Sequence, residues 1–112
     1  MYARVARFEG GKAAGIESES AKIRKEIEAF RRGEKGSYAP ELGRYVSRFE
    51  VLADRKDGRV AFVVYCETES DLREVDRIMD SMSPSNPDWG KRVSVETYEV
   101  FLDESTSLRR VA

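Results

Sequence analysis

Few side chains in this sequence can do chemistry, and none stands beside the partner that its chemistry needs. Cys66 is the single cysteine and closes the apolar run "VAFVVYC". A thiol becomes a nucleophile when a nearby base or cation favours the thiolate, and the chain contains no histidine. Cys66 therefore reads first as a small buried hydrophobe, since free cysteine is among the most buried residue types. Arg4, Arg7, Arg44 and Arg48 fall on predicted strands, where long cations are less expected. One of them turned inward would grip an anionic ligand through its bidentate fork. The competing and favoured reading is an ion pair with Glu50, Glu96 or Glu99, because opposite charges across strands fix register. Glu17 with Glu19, and Glu67 with Glu69, flank helix starts, where carboxylates suit the positive helix end. "EGGKAAG" has neither the spacing nor the terminal Lys-Ser/Thr of a phosphate loop.

Composition removes further classes. The 112 residues amount to one domain's worth of chain, with 40% apolar and 37% charged residues, a globular mixture with a charged exterior. Twenty basic residues stand against twenty-one acidic ones, interleaved throughout, for a net charge of −1. Nucleic-acid binders concentrate basic charge, so no nucleic-acid partner is expected. Without histidine the commonest metal ligand and general base are both missing, and neither metal nor cofactor is expected. No run approaches the ~18 apolar residues of a membrane span, and "MYARVARF" lacks the basic-then-apolar order of a signal peptide. One unpaired cysteine suits a reducing compartment, so a cytoplasmic location is expected.

Periodicity places the elements. "YARVARFE" alternates as a strand near 2–9. Ile16, Ile23, Ile27 and Phe30 lie at offsets of 0, 7, 11 and 14, one stripe of a helix near 14–33 that Gly33 and Gly36 close. "RYVSRFEVLADR" predicts a strand near 44–54, and "RVAFVVYCE" one near 59–67. Asp57-Gly58 between them signals a tight primed hairpin turn. Thr68, with Asp71 three residues later, resembles a capping box that opens a helix near 69–82. Its buried stripe is Leu72, Val75, Met79 and Met82, with Ile78 beside it. "KRVSVETYEVFLD" predicts the last strand, near 92–103. Tyr38 and Trp89 sit on the two long loops, where aromatics can lid a pocket; Trp89 reads at least equally well as a plug over one end of the helix layer.

The order β-α-β-β-α-β predicts an α+β, ferredoxin-like fold over residues 1–104, followed by a tail over 105–112. Two helices would cover one face of a four-stranded antiparallel sheet. The third strand is apolar on both faces, which predicts cover on both sides. A second copy of the chain on the helix-free face, giving a homodimer, is the economical cover.

"MYARVARFEG", "VLADRKDGRVAFVVYCETESDL" and "MDSMSPS…KRVSVETYEV" resemble small bacterial proteins of the dimeric α+β barrel superfamily, relatives of the antibiotic-biosynthesis monooxygenase domain. The likeness runs from Met1 to about Asp103. It implies a homodimer joined through the sheet face around a shared interior. That superfamily holds cofactor-free monooxygenases, haem-degrading enzymes, muconolactone isomerases, chlorite dismutase relatives and members with no known reaction. Two departures matter. Cys66 occupies a position where many members carry an aromatic, and the histidine of the haem degraders' Asn-Trp-His arrangement has no counterpart.

Function is then read as binding of a small apolar or anionic molecule, or a structural role, with no reaction assigned. The alternative is a cofactor-independent monooxygenase or isomerase acting on a small cyclic or aromatic compound. An RNA-recognition role ranks last, because "RVAFVVYCE" lacks the required aromatic pattern. The expected cavity is modest, apolar and inside the barrel, with Phe62, Val64 and Cys66 on its wall, Arg4 as an anionic-ligand anchor and Trp89 nearby. Tyr2, Phe8, Phe49 and Leu108 are the side chains expected to refill the volume that an aromatic at position 66 would take.

Overall fold

A computed structural model describes residues 1–34, 42–81 and 87–104. Four antiparallel strands form one sheet in the order β2-β3-β1-β4, with β1 at Tyr2–Gly10, β2 at Arg48–Asp54, β3 at Arg59–Cys66 and β4 at Gly90–Glu99. The helices are α1 (Ala13–Arg31), the single turn α2 (Leu42–Tyr45) and α3 (Glu69–Ser81), and a 3-10 turn over Pro87–Trp89 precedes β4. The chain is thus α+β, and its element order is consistent with a ferredoxin-like arrangement. No described helix is long and apolar enough to cross a membrane.

Local chemistry explains the boundaries. The α1 helix ends where the Gly33 and Glu34 N–H groups donate to the Phe30 and Ala29 carbonyls, each at 3.0 Å, the paired bonds of a Schellman cap. The α3 helix begins at the expected cap, with the Asp71 N–H donating to Thr68 Oγ1 at 3.0 Å. Leu72, Val75 and Ile78 form its buried stripe, so Ile78 is central and Met79 only half-buried.

Three expectations are corrected. The second strand starts at Arg48, since residues 42–45 make a helical turn closed by the Val46 N–H on the Leu42 carbonyl at 3.0 Å. The fourth strand runs from Gly90 to Glu99, because its ladder partner runs out: Glu99 faces Tyr2, and the Val100 N–H already reaches the Met1 carbonyl. The hairpin after β2 is a four-residue turn over 55–58. Within that turn only Gly58 takes a positive φ, +69°, whereas a primed turn at Asp57-Gly58 needs it at Asp57 in either type, I′ or II′. Gly58 is also pressed against the Gly11 backbone, where a Cβ would clash.

Register assigns the sheet faces. Tyr2, Arg4, Ala6 and Phe8 pair with Cys66, Val64, Phe62 and Val60, and directly opposed residues share a face. Arg4, only 2% exposed, donates to Asp76 at 2.8 Å and to Asp80 at 3.2 Å, both on α3. Its face is therefore the one under the helices. Phe62, Val64 and Cys66, expected on the wall of a shared barrel interior, lie instead beneath the helix layer. The helix-free face carries Ala3, Val5 and Arg7 on β1, Ala61, Val63 and Tyr65 on β3, and Glu50 and Leu52 on β2.

The Arg4 pairing tests this assignment. Removing a partner leaves a buried cation short of charge, whereas removing the cation leaves aspartates that water can reach, with Asp76 at 40% exposure. Asp76→Ala should destabilise the fold by about 2 kcal/mol or more, and Arg4→Met by about 1 kcal/mol or less, read from urea midpoints. Equal losses would show that Arg4 is not charge-dependent.

Candidate functional site

Two core clusters lie between the sheet and its helices. One joins Leu42, Val64, Cys66, Leu72, Val75 and Ile78, and the other joins Ile16, Ile23, Val60 and Trp89. The first is the footprint of α3. The second is the footprint of the N-terminal half of α1, wedged by Trp89. Phe49 and Phe62 pack against both clusters. Their rings lie 5.9 Å apart and continue through Trp89, 5.8 Å from Phe62, to Phe8, 5.4 Å from Trp89.

Where the clusters meet, a groove of about 420 Å³ opens among the described residues. Its floor is Phe49, Phe62 and Val64, and its walls include Ile27, Phe30, Leu42, Val46 and Met79. Phe30 stands at the rim and is 41% exposed, although it belongs to the apolar stripe of α1. Gly43 makes this closeness possible, since any Cβ there would collide with the Phe30 ring. Glu26, Arg31, Ser47 and Arg48 provide the polar part of the lining. Ligand sites combine an apolar wall with a few polar groups in just this way, and their volumes usually exceed about 300 Å³.

The five residues expected to make a site do not form one constellation. Phe62 and Val64 line the groove. Cys66 is completely buried under α3, and burial, then the charge of Asp71, pushes its thiol up to about 11. Such a thiol stays protonated and inert. Arg4 is held by Asp76 and Asp80 and by a contact to Met79 Sδ at 3.4 Å, so its charge is already matched by two carboxylates, and it is not among the residues that line the groove. Trp89 is 2% exposed and acts as the plug, its indole N–H without a hydrogen-bond partner among the described residues. Of the expected filling residues, Tyr2 and Phe49 pack against the Cys66 cluster and Phe8 against that of Trp89. Leu108 and Tyr38 lie outside the described residues.

Of the groove residues, Ile27, Phe30 and Met79 were expected only as helix-stripe residues and Phe49 only as a filling side chain, while Leu42 and Val46 were missed. A signal existed for both. Leu42, Tyr45 and Val46 have i, i+3, i+4 spacing, one apolar face of a helical turn. A single turn is too short to stand out beside the strand pattern that follows.

The ion-pair reading of the other strand arginines holds in part. Arg7 donates to Glu96 at 2.7 Å and Arg48 to Glu50 at 3.3 Å, both on the helix-free face, while Arg44 falls on α2. Tyr98 O–H also donates to Glu96. The Tyr98 hydroxyl and the Arg7 guanidinium together hold the Glu96 carboxyl below the ordinary carboxylate range. Tyr65 O–H donates to Glu50 at 2.8 Å, and Arg48 lies 5.6 Å from the Tyr65 ring centroid. The described residues contain no group of three His, Cys, Asp or Glu side chains able to hold a metal ion. No protein-family model matches the chain, and no curated protein or solved structure matches it significantly.

Burial of Cys66 gives a signed pH dependence. A thiol whose folded pKa is raised adds stability below its unfolded pKa, and that contribution is lost as pH rises toward the folded value. Between about pH 9 and 11 the wild type should lose on the order of 2 kcal/mol more stability than Cys66→Ala does. Denaturant melts of both proteins across that range test it. Parallel pH profiles, or rapid alkylation of the native thiol at pH 8, would contradict the burial.

Proposed function

We propose that this chain is a small-molecule-binding domain that holds an apolar ligand in the groove between α1, α2, α3 and the sheet. The observation that carries this reading is the groove itself, about 420 Å³ with an aromatic and aliphatic floor. Binding is favoured over catalysis because Phe49, Phe62 and Val64 at that floor have no polar side-chain atoms. An environmentally sensitive neutral probe, N-phenyl-1-naphthylamine, should brighten and shift to the blue on binding. Val46→Trp fills the groove from a half-buried wall position, so it should abolish that signal while far-ultraviolet circular dichroism stays native. Undiminished probe binding by a folded Val46→Trp protein would remove the groove from consideration.

We further propose a homodimer through the helix-free face, in the manner of the dimeric α+β barrel superfamily that the sequence resembles. What supports it is the pattern on that face. Val5 and Ala61, half-buried, form an apolar centre along β1 and β3 around Ala3 and Val63, which the chain itself already covers to 6% exposure, with Leu52 53% exposed beside it on β2. The pairs Arg7–Glu96 and Arg48–Glu50 flank this centre. Both signs of charge at the margins allow a two-fold related copy to meet opposite charges, as a self-complementary interface requires. Light scattering at micromolar concentration should return twice the chain mass, and Leu52→Lys should weaken association by about tenfold or more. A monomer mass for the wild type would end the proposal.

A further inference from the structure

We infer that the ligand of this groove carries one anionic group, a carboxylate or sulfonate on an apolar body, and that Arg31 is its counter-charge. The inference rests on the reading of the groove as a small-molecule site and adds the chemical class of the molecule. It follows from an inventory of the charged groups at the rim. Arg48 is committed to Glu50 at 3.3 Å and to the face of Tyr65. Glu26 is not free either. The Ser47 hydroxyl donates to the Tyr65 carbonyl at 3.1 Å. Arg31 alone lines the groove with no hydrogen-bond or ion-pair partner among the described residues. Of the two acids three positions from it in sequence, Glu34 is bound instead by Arg32, through both Nε and Nη2 at 3.1 Å, and Glu28, one turn earlier on α1, makes no ion pair with Arg31.

Position strengthens the assignment. Arg31 directly follows the rim residue Phe30 in the last turn of α1. The negative end of a helix disfavours an approaching anion, but the Schellman bonds already occupy the Ala29 and Phe30 carbonyls there. A guanidinium free to form a bidentate pair is well suited to a planar carboxylate. A neutral ligand would leave that capacity unused, and a cationic one would be repelled. The groove is also too apolar at its floor to take the anion deeply, because burial of an unpaired charge is costly. The ligand must therefore lie with its apolar body on Phe49, Phe62 and Val64 and its charged end at the rim.

Two probes that share an anilinonaphthalene body separate the possibilities: neutral N-phenyl-1-naphthylamine and anionic 1-anilinonaphthalene-8-sulfonate. The anionic probe should bind about tenfold more tightly, as one charge-assisted contact implies, and its advantage should shrink with added salt. Arg31→Gln should remove that advantage and leave the neutral probe unchanged, whereas Arg31→Lys should keep part of it. Equal affinity of the two probes, or an anionic-probe affinity insensitive to Arg31→Gln, would overturn the inference and leave the groove reading intact. Failure of both probes to bind would overturn the groove reading, and the inference with it.

Discussion

A guanidinium buried to 2% exposure between a sheet and a helix is the constraint from which the arrangement of this fold can be traced. Arg4 must be paired where it lies, since an unpaired buried cation costs several kcal/mol. Asp76 and Asp80, one helical turn apart on α3, provide the pairing, and Asp80 is shared with Arg92 of β4 at 3.3 Å. The contact ties α3 to the two strands β1 and β4 at once. It also chooses the face of the sheet that is covered. Once Arg4 points to the helices, pleating sends Tyr2, Ala6 and Phe8 the same way, and the antiparallel register brings Val60, Phe62, Val64 and Cys66 with them. A one-residue slip would expose that whole set, so an ion pair and an apolar core enforce the same register.

The groove follows from how unevenly the two long helices use their apolar stripes. The α3 helix packs Leu72, Val75 and Ile78 on the sheet around Val64 and Cys66. The α1 helix is buried at Ile16 and Ile23, while Ile27 is half-buried and Phe30 is at the rim. Trp89 acts as a wedge under the first half of α1, joining Ile16, Ile23 and Val60. Towards the end of that helix Ile27 still packs against the Trp89 cluster, while Phe30 lies against Gly43 of α2. A larger residue at 43 would push Phe30 aside and alter the rim. The void lies over the floor that both clusters share, so it is bounded by rigid elements on several sides.

Much of this architecture was legible because periodicity and cap chemistry are local. The stripe of α3, its Thr68 cap, the glycine stop of α1 and the apolar β3 all appear in the order of residues alone. The face assignment was not legible. The β3 strand is apolar on both sides, so alternation gave two sets of residues, and only the partner of Arg4, 72 positions away in sequence, distinguishes them. The same long-range pair removed Arg4 as a ligand anchor, since a free arginine and a paired one look identical in sequence. Phe62 and Val64 line the groove under the helices, whereas the expected cavity inside a shared barrel would lie on the other face of the sheet. Trp89 could be read as lid or plug from its loop position, and its packing between α1 and the sheet makes it a plug. Leu42 and Val46 were hidden because a single helical turn leaves too few residues for a period to show.

The two surfaces proposed for function lie on opposite sides of one sheet and share β3. Phe62 and Val64 turn to the groove, and Ala61, Val63 and Tyr65 turn to the helix-free face. A copy docked on that face would not cover the groove, so ligand binding and assembly need not compete for surface. They would still be mechanically connected, because each strand backbone holds alternate side chains for both tasks and close-packed interiors transmit displacement. The Arg48 side chain shows how short that path is. The residue borders the groove, while its guanidinium, on the helix-free face, pairs with Glu50 and covers the ring of Tyr65, whose hydroxyl also binds Glu50. A ligand that drew Arg48 away from Glu50 would change the charge pattern at the margin of the face offered to a partner. Arg31, at the rim and without a partner among the described residues, can meet an anion without disturbing that pattern. An anionic end held there leaves Arg48 in place, and the groove can fill without changing the face on which a second copy would dock.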